Sequence, residues 1–367
     1  MWLSEDVIVE ILSRLPVKSL LRSKSVCKSW NDIINDPMFI SKHHQTISSK
    51  ESSKLVLVSR RDSITNKRVI SSLRNDEYYV LIDQHLPTFL NDMFGHVRLI
   101  GPCNGIICLY GFPDNIALWN PSIRDFKILP SSMVHRPHNV KVRGGDIGIG
   151  FDSKNRDLKL IQILFCVSRD HGLIHQVEIY SLRTDSWRKY EGIVLANIMY
   201  HNLWSMVYKN ETFCWWAHDR SVEVILSFDM NNETFQKTPL PHGIDVFEGR
   251  HRTTRAIMPL KESLALVVYR PQDLNKIFDV WVMNELGGNT NSWIKVTSIG
   301  PLVKVERPLG FWSNDDVIFE DNSGELVVYN CINDEIKNLG VYGKRSRLEV
   351  LVYRESLFLV NGVYANM

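Results

Sequence analysis

Ile116–Leu129 reads IALWNPSIRDFKIL, and the rest of the chain is best understood from it. An apolar run ends in an aromatic, Trp119. A polar turn follows, and a second apolar anchor, Phe126, stands seven residues on. Four more stretches share the plan: Val177–Tyr190 (VEIYSLRTDSWRKY), Ile225–Thr238 (ILSFDMNNETFQKT), Phe278–Val296 (FDVWVMNELGGNTNSWIKV) and Leu326–Leu339 (LVVYNCINDEIKNL). Their first aromatics are Tyr180, Phe228, Trp281 and Tyr329, and their second anchors are Trp187, Phe235, Trp293 and Ile336. The offset of seven recurs in four of the five. In the Trp281 unit it is twelve, because Gly287-Gly288 and their neighbours lengthen the turn.

Upstream of each hairpin lies another short strand: Ile106-ICLY, Leu158-KLIQILF, Thr212-FCWWA, Leu264-ALVVY and Val317-IF. The first aromatics are spaced by 61, 48, 53 and 48 residues. A period near 50 with about four strands per unit predicts a mainly β chain folded as a kelch-like β-propeller. A single blade cannot bury both faces, whereas a ring covers each blade with its neighbours and leaves no long open edge. A β-sandwich with accidental similarity is the alternative. Five units are readable, and a final strand, Leu357-FLV, lacks a partner. Leu55-VLV and Val69-ISSL, within Lys54–Leu73, can supply outer strands to the same blade, closing a ring of six by joining chain ends.

Before residue 50 the period changes. Val7, Ile8, Ile11, Leu12 and Leu15 form one apolar stripe at helical spacing. Ser4 can cap this helix, with Glu5 and Asp6 in its first turn, and Pro16 stops it. A second helix carries Leu20 and Leu21. A third carries Val26, Trp30, Ile33 and Ile34 and ends by Asp36-Pro37. Three helices of this length make a small core, so the unit either packs on the propeller or presents its stripe to a partner.

Leu3-SEDVIVEILSRLPVKSLLRSKSVCKSWNDII resembles the F-box, with Ile11-LSRLPVKSLLR and Val26-CKSW as its most specific parts. The remainder resembles the F-box-associated domain of plant F-box proteins, and among them the S-locus F-box-like group. The matching residues are Gly101-PCNGIICL, Leu118-WNPSIRDFKILP, Val177-EIYSLRTDSWRK, Ile225-LSFDMNNETF, Val280-WVMNE with Ser292-WIKV, and Pro308-LGFW. Ser4 departs from the family, which usually has proline there. The resemblance implies an F-box over residues 1–45 and a substrate-recognition propeller over 54–367. It implies a non-catalytic receptor subunit of an SCF-type cullin–RING ubiquitin ligase, bound to a Skp-type adaptor and cullin. The target would be a protein marked for degradation, with an S-ribonuclease of self-incompatibility as one candidate. Leu3, Ser4, Ile8, Ile11, Leu12, Leu15, Pro16, Leu20, Leu21, Val26, Cys27 and Trp30 are the candidate adaptor-binding residues. Helix recognition uses i, i+4 anchors of this kind, and truncating Leu12 or Leu15 is expected to weaken the complex. The competing role for each is internal packing.

Hydrophobic residues make up 44% and charged residues 23% of 367, with a formal charge of +2, which excludes global disorder and gives no general basis for nucleic-acid binding. No apolar run reaches about 18 residues, so no membrane span is expected. Sparse cysteines and an acidic N-terminus point to a reducing, cytoplasmic or nuclear setting. Cys103 and Cys108 lack the second pair that a zinc site needs and read as core thiols. His43-His44 point apart on a helix and make no ligand pair. Gly144-GDIGIG lacks a phosphate-loop lysine and reads as a strand whose glycines allow close backbone packing. No catalytic, metal or cofactor site is expected. A propeller enzyme, with acid–base or metal residues at the ring's centre, is the rival class.

Charge is uneven: residues 14–74 carry net +9, and residues 75–367 carry −4. Two connections are unusually long and polar, Ser131–Gly145 and Pro241–Arg255. Loops at the ends of a rigid ring are where partners bind, and equivalent connections emerge on one face. The candidate substrate-binding residues are therefore His135, Arg136, His138 and Arg143 on one, and His242, Phe247, Arg250 and Arg252 on the other.

Overall fold

The computed structural model describes residues 4–48, 54–61, 68–74, 82–84, 97–111, 114–134, 140–168, 172–193, 206–209, 211–219, 222–242, 244, 254–261, 263–286 and 292–361. Four helices open the chain: α1 (Glu5–Ser13), α2 (Val17–Ser23), α3 (Lys28–Asn35) and α4 (Pro37–Ser48). Three were expected. Asp36-Pro37 does end α3, but it also starts α4: Asp36 Oδ1 accepts from the backbone N–H of Met38 (2.8 Å) and Phe39 (3.0 Å), with Pro37 in the first helical position. Ser4 occupies the N-cap of α1 without a side-chain capping bond, which corrects the expectation that its hydroxyl caps there.

The β region begins with β1 (Lys54–Arg61), β2 (Arg68–Arg74) and β3 (Ile82–Gln84). Next come β4 (Arg98–Cys103), β5 (Ile106–Gly111), β6 (Asn115–Asn120) and β7 (Asp125–Ile128). The third set is β8 (Val140–Asp152), β9 (Asp157–Ser168), β10 (Gly172–Ser181) and β11 (Ser186–Lys189). The fourth is β12 (Met206–Lys209), β13 (Thr212–Asp219), β14 (Val222–Asp229) and β15 (Thr234–Pro239). The fifth is β16 (Thr254–Leu260), β17 (Ser263–Tyr269), β18 (Asn275–Met283) and β19 (Trp293–Val303). The last strands are β20 (Val305–Phe311), β21 (Asp316–Asp321), β22 (Glu325–Asn330), β23 (Glu335–Tyr342) and β24 (Glu349–Arg354).

They form six four-stranded antiparallel sheets, the blades of a propeller. Five are consecutive in sequence. The sixth has the order β24-β1-β2-β3, so the ring is closed by pairing the last strand with the first. The expected closure by chain ends is correct, but the closing strand is β24. Leu357–Val360 forms no strand, although Leu357, Phe358 and Val360 are buried.

Each hairpin's two anchors meet across its strands: Trp119 opposes Phe126, Tyr180 opposes Trp187, Phe228 opposes Phe235 and Tyr329 opposes Ile336. Cross-strand aromatic–aromatic and aromatic–β-branched pairs of this kind stabilise a sheet face. The residue five after each first anchor adopts a left-handed φ: Arg124 (57°), Asp185 (49°), Glu233 (51°) and Asp334 (58°). Tyr180 and Tyr329 donate their hydroxyls to Asp185 (2.6 Å) and Asp334 (2.8 Å), which fixes that conformation. In the fifth unit the register differs. Trp293 opposes Met283, and Trp281 opposes Lys295, so Met283 is the first anchor there.

Second-anchor tryptophans also tie blades together. Trp187 Nε1–H donates to the Pro130 carbonyl (2.8 Å) and Trp293 Nε1–H to that of Pro239 (2.9 Å), each at the end of the preceding blade. Gly148 on β8 permits close packing of the same kind, since a Cβ there would stand 2.7 Å from the Phe213 ring of the next blade. Buried charge adds a further link. Lys159 on β9 bonds Asp152 and reaches Glu233 of the next blade (2.7 Å), which also holds Arg188. Burial alone would raise the Glu233 carboxyl, but the hydrogen bonds from Lys159 and Arg188 bring it below its ordinary range.

Candidate interaction surfaces

Strands β4, β8, β12, β16, β20 and β24 are the innermost of their blades and surround a central channel. Antiparallel pairing alternates the connections between two ends of the ring. Inner hairpin turns such as Asn104-Gly105 and outer ones such as Pro121–Arg124 lie at one end. Outer-to-inner crossovers and the middle turns lie at the other.

The helices sit at the first end. Leu12, Val17, Leu20, Ile33, Ile34, Phe39 and Ile40 share one core cluster with the propeller and with Leu357, Phe358 and Val360. Ile123, in the outer turn of the β6–β7 hairpin, packs against it. The C-terminal segment Ser356–Asn361 is the mortar of this seam. Asn120 Nδ2 donates to the carbonyls of Phe358 (2.8 Å) and Ser356 (3.1 Å). Asp125 Oδ2 accepts from the Val360 backbone (2.7 Å), and Oδ1 from Asn361 Nδ2 (2.7 Å). The apolar run was expected to be a strand. Its backbone groups are instead satisfied by side chains of the β6–β7 hairpin, which leaves its apolar side chains free to face the helices.

The two histidines of α4 do point apart. His43, fully buried, donates from Nε2 to the Leu15 carbonyl (2.9 Å) at the end of the α1 turn. His44 meets the Phe358 ring edge-on at 5.4 Å. Burial, with His43 and Arg354 nearby, holds the His44 imidazole down at about 4. At the outer surface Glu10 of α1 bridges Arg14 (2.6 Å) and Lys42 of α4 (2.9 Å).

This packing divides the twelve candidate adaptor residues. Ser4, Ile11, Pro16, Val26 and Cys27 are exposed, and Ile8, Leu15, Leu21 and Trp30 are half-buried. Leu12 and Leu20 are 0% exposed, which corrects their assignment as anchors: they face the seam and belong to the internal core. Leu3 lies outside the described residues. The candidate list lacked two exposed apolar residues: Val7 (42% exposed), a member of the stripe one turn from Ile11 (49%), and Met38 (82%) on the unexpected α4. Glu10, Arg14 and Lys42 frame the stripe's polar edge.

Both long connections are outer-to-inner crossovers, β7 to β8 and β15 to β16, so they leave the ring at the end opposite the helices. His135, Arg136, His138, Phe247, Arg250 and Arg252 lie outside the described residues. Arg143 is exposed, but on β8 and not in a loop: the strand begins at Val140, which shortens the expected connection. His242 is exposed just after β15. Arg255, at the loop's end, is buried on β16, paired with Glu223, bonded to the Ile244 carbonyl (3.1 Å) and placed over Trp216 at 5.6 Å. The same end carries exposed apolar side chains that the loop reading missed: Met133, Ile193, Val222, Leu274, Val303 and Tyr342. Cys103 and Cys108 are buried strand thiols, and burial pushes Cys103 up to about 12.

A ring of six blades with four helices packed at one end defines the class: a β-propeller joined to a small helical module. The F-box associated beta propeller domain model matches residues 63–357 and the F-box domain model residues 1–42, so the chain belongs to the F-box proteins with an F-box-associated propeller. It is 32% identical to an F-box/kelch-repeat protein of Arabidopsis thaliana over 339 residues, 89% of this chain and 87% of that protein. It is 26% identical to the F-box protein CPR1 of Arabidopsis thaliana, covering 92% and 84%. Among solved structures, an oligogalacturonate lyase in complex with manganese has a TM-score of 0.40 at 11% identity, covering 78% of this chain and 73% of that one. That distance says nothing about activity.

Proposed function

We propose that this protein is the non-catalytic substrate receptor of an SCF-type ubiquitin ligase, working in the cytoplasm and nucleus. The F-box docks on a Skp-type adaptor that brings the cullin, and the propeller holds a target protein for ubiquitination. The observation that carries this reading is the division of ends. The F-box packs at one end of the ring while keeping Val7, Ile11, Val26 and Met38 outward. The opposite end keeps its long crossovers and its exposed apolar side chains for a second partner. Exposed apolar groups rimmed by charge mark protein-binding surfaces. The receptor contributes proximity, because tethering a lysine-bearing target beside the charged enzyme replaces a bimolecular encounter.

The residues proposed for the adaptor are the outward ones, Ile11, Pro16, Val26 and Cys27 with half-buried Ile8, Leu15, Leu21 and Trp30. Those proposed for the target are the two crossovers, with His135, Arg136, His138, Arg143, His242, Phe247, Arg250 and Arg252. An S-ribonuclease remains a candidate target on the strength of the S-locus F-box-like motifs. The test is capture of a purified Skp-type adaptor by the full chain, followed by ubiquitination of bound S-ribonuclease in a reconstituted ligase. Failure of the folded chain to capture adaptor overturns the receptor reading. Capture of adaptor with no transfer to S-ribonuclease overturns that target.

A further inference from the structure

The crossover from β23 to β24 reads Gly343-Lys344-Arg345-Ser346-Arg347-Leu348, three cations in four residues. Like the other outer-to-inner crossovers, it lies at the end of the ring opposite the helices. Lys344, Arg345, Ser346 and Arg347 are all exposed, yet their backbone is held in one shape. Gly343 N–H donates to the Gly324 carbonyl (3.0 Å) and Arg347 N–H to the Lys344 carbonyl (2.9 Å). Ser346, at a left-handed φ of 59°, donates its N–H to the buried Glu320 carboxylate (2.6 Å). The Leu348 carbonyl accepts from Arg307 (2.8 Å). Gly324 packs so closely that a Cβ there would stand 2.6 Å from the Gly343 carbonyl oxygen. A loop fixed in this way presents its charges with little ordering cost on binding.

Neighbouring elements add charge of the same sign. Asn322 N–H donates to the Lys304 carbonyl (2.9 Å), so exposed Lys304 flanks the β21–β22 turn that Gly343 bonds on its other side. β1 pairs with β24 as far as Ser59 opposite Glu349, and Arg60 and Arg61 run on past that pair toward the crossover. A Cβ on Gly343 would stand 3.2 Å from that of Arg60. Through β1 the basic excess of residues 14–74 reaches this end of the ring, although residues 75–367 are net −4. The carboxylates nearby are withdrawn from the surface. Glu320 and Glu325 are buried, Asp321 and Glu306 are half-buried, and Glu306 is engaged by Arg345 (2.9 Å). Among the described residues, Lys344 and Arg347 form no salt bridge. Tyr342 and Val303, next in sequence to the crossover and to Lys304, are exposed.

The backbone N–H groups of Gly343, Ser346 and Arg347 are used within the fold, so the crossover offers no nest converging on a single phosphate. It offers side-chain charges spaced along a ridge, which match carboxylates spaced along a chain. Resting on the receptor reading above, we propose that this ridge docks an acidic segment of the target protein. Asp and Glu side chains of the segment lie on Lys304, Lys344, Arg345 and Arg347, and an apolar residue among them sets on the Tyr342 ring. Charge arranged in this way steers the encounter and rejects basic competitors, and salt screens it.

The experiment is fluorescence anisotropy of the full chain at about 0.1 M salt with a labelled peptide of about a dozen residues, Asp and Glu around one Leu. The same peptide with Asn and Gln in place of the acids, and an oligothymidylate of equal charge, are the other two arms. Saturable binding of the acidic peptide is expected, with none of the neutral one and weaker binding of the oligothymidylate. Lys344→Glu with Arg347→Glu should weaken the acidic peptide at least about 10-fold. Lys154→Glu with Lys261→Glu, an equal charge change in exposed turns at the F-box end, should leave it within about 2-fold. Absence of saturable binding of the acidic peptide overturns the proposal. So does equal weakening by the two double variants, with circular dichroism showing each folded. Oligothymidylate bound as tightly as the peptide overturns the assignment to a protein segment. Adaptor capture is read on the same preparation. A chain that captures adaptor but not the peptide overturns the ridge and leaves the receptor reading standing, whereas one that binds the peptide but not adaptor supports the ridge and overturns that reading.

Discussion

Phe358→Ala tests whether the C-terminal segment holds the F-box to the propeller. Phe358 is 5% exposed and meets both the helical core and His44. Truncating a buried phenylalanine costs about 3–5 kcal/mol. The seam beside it contains a cleft of about 320 Å³ lined by Leu21, Ile34, Ile40 and Leu357, which gives room to relax, so the lower figure applies. A second effect follows from His44. Its folded value is about 4 against an ordinary 6.5. The unfolded chain therefore binds a proton between these values that the folded chain refuses. The His44 contribution is complete above pH 6.5 and is lost as pH falls toward 4. At 1.36 kcal/mol per unit, the loss between pH 6.5 and 5 is about 2 kcal/mol. Removing Phe358 hydrates His44 and returns its value toward 6.5, which abolishes this loss. Urea unfolding of both proteins at pH 8 and pH 5 should thus give a penalty of about 3 kcal/mol at pH 8 and roughly 1 kcal/mol at pH 5. An equal penalty at both pH values refutes the linkage, and a penalty below about 1 kcal/mol at pH 8 refutes the seam.

Further outcomes follow from the same packing. Ile11→Glu should abolish adaptor capture and leave the unfolding midpoint nearly unchanged. Leu12→Ala should instead lower stability by about 2–5 kcal/mol, as a large-to-small core change does. Gly105→Ala forces alanine to φ +74° and places its Cβ 2.6 Å from that of Ser356, so the C-terminal segment should become sensitive to limited proteolysis. Trp187→Phe removes the bond to the Pro130 carbonyl and should cost about 1 kcal/mol in urea unfolding. Exchanging residues 131–145 and 241–255 for those of a relative should change the captured target while adaptor capture stays the same.

The blade repeat was legible in the sequence because its anchors oppose one another in register, and a fixed offset of seven is what a two-strand turn with one left-handed residue requires. Offset alone mistook the fifth unit, since Trp281 and Met283 lie on one strand face and both are apolar. On α1 the stripe established an apolar face but not which part another surface covers, so Leu12 and Ile11 read alike although one is buried and the other half exposed. The signal for α4 was present in Asp36-Pro37, as an N-cap followed by proline, and was read only as a stop. Leu357–Val360 carries the composition of a strand. What keeps it out of the sheet is non-local, namely Asn120 and Asp125 more than 230 positions away.

Closure by β1 and β24 also sets a timetable for synthesis. A ribosome delivers β1 nearly 290 residues before the strand that completes its blade. Until Glu349 emerges, β1 has an unpaired edge, and the helices lack the segment that seats them on the propeller. An exposed strand edge is a template for wrong pairing, and long-range pairing forms slowly. A message truncated before that codon therefore yields a chain whose other five sheets have every strand they need, yet whose first blade stays open and whose F-box is unseated.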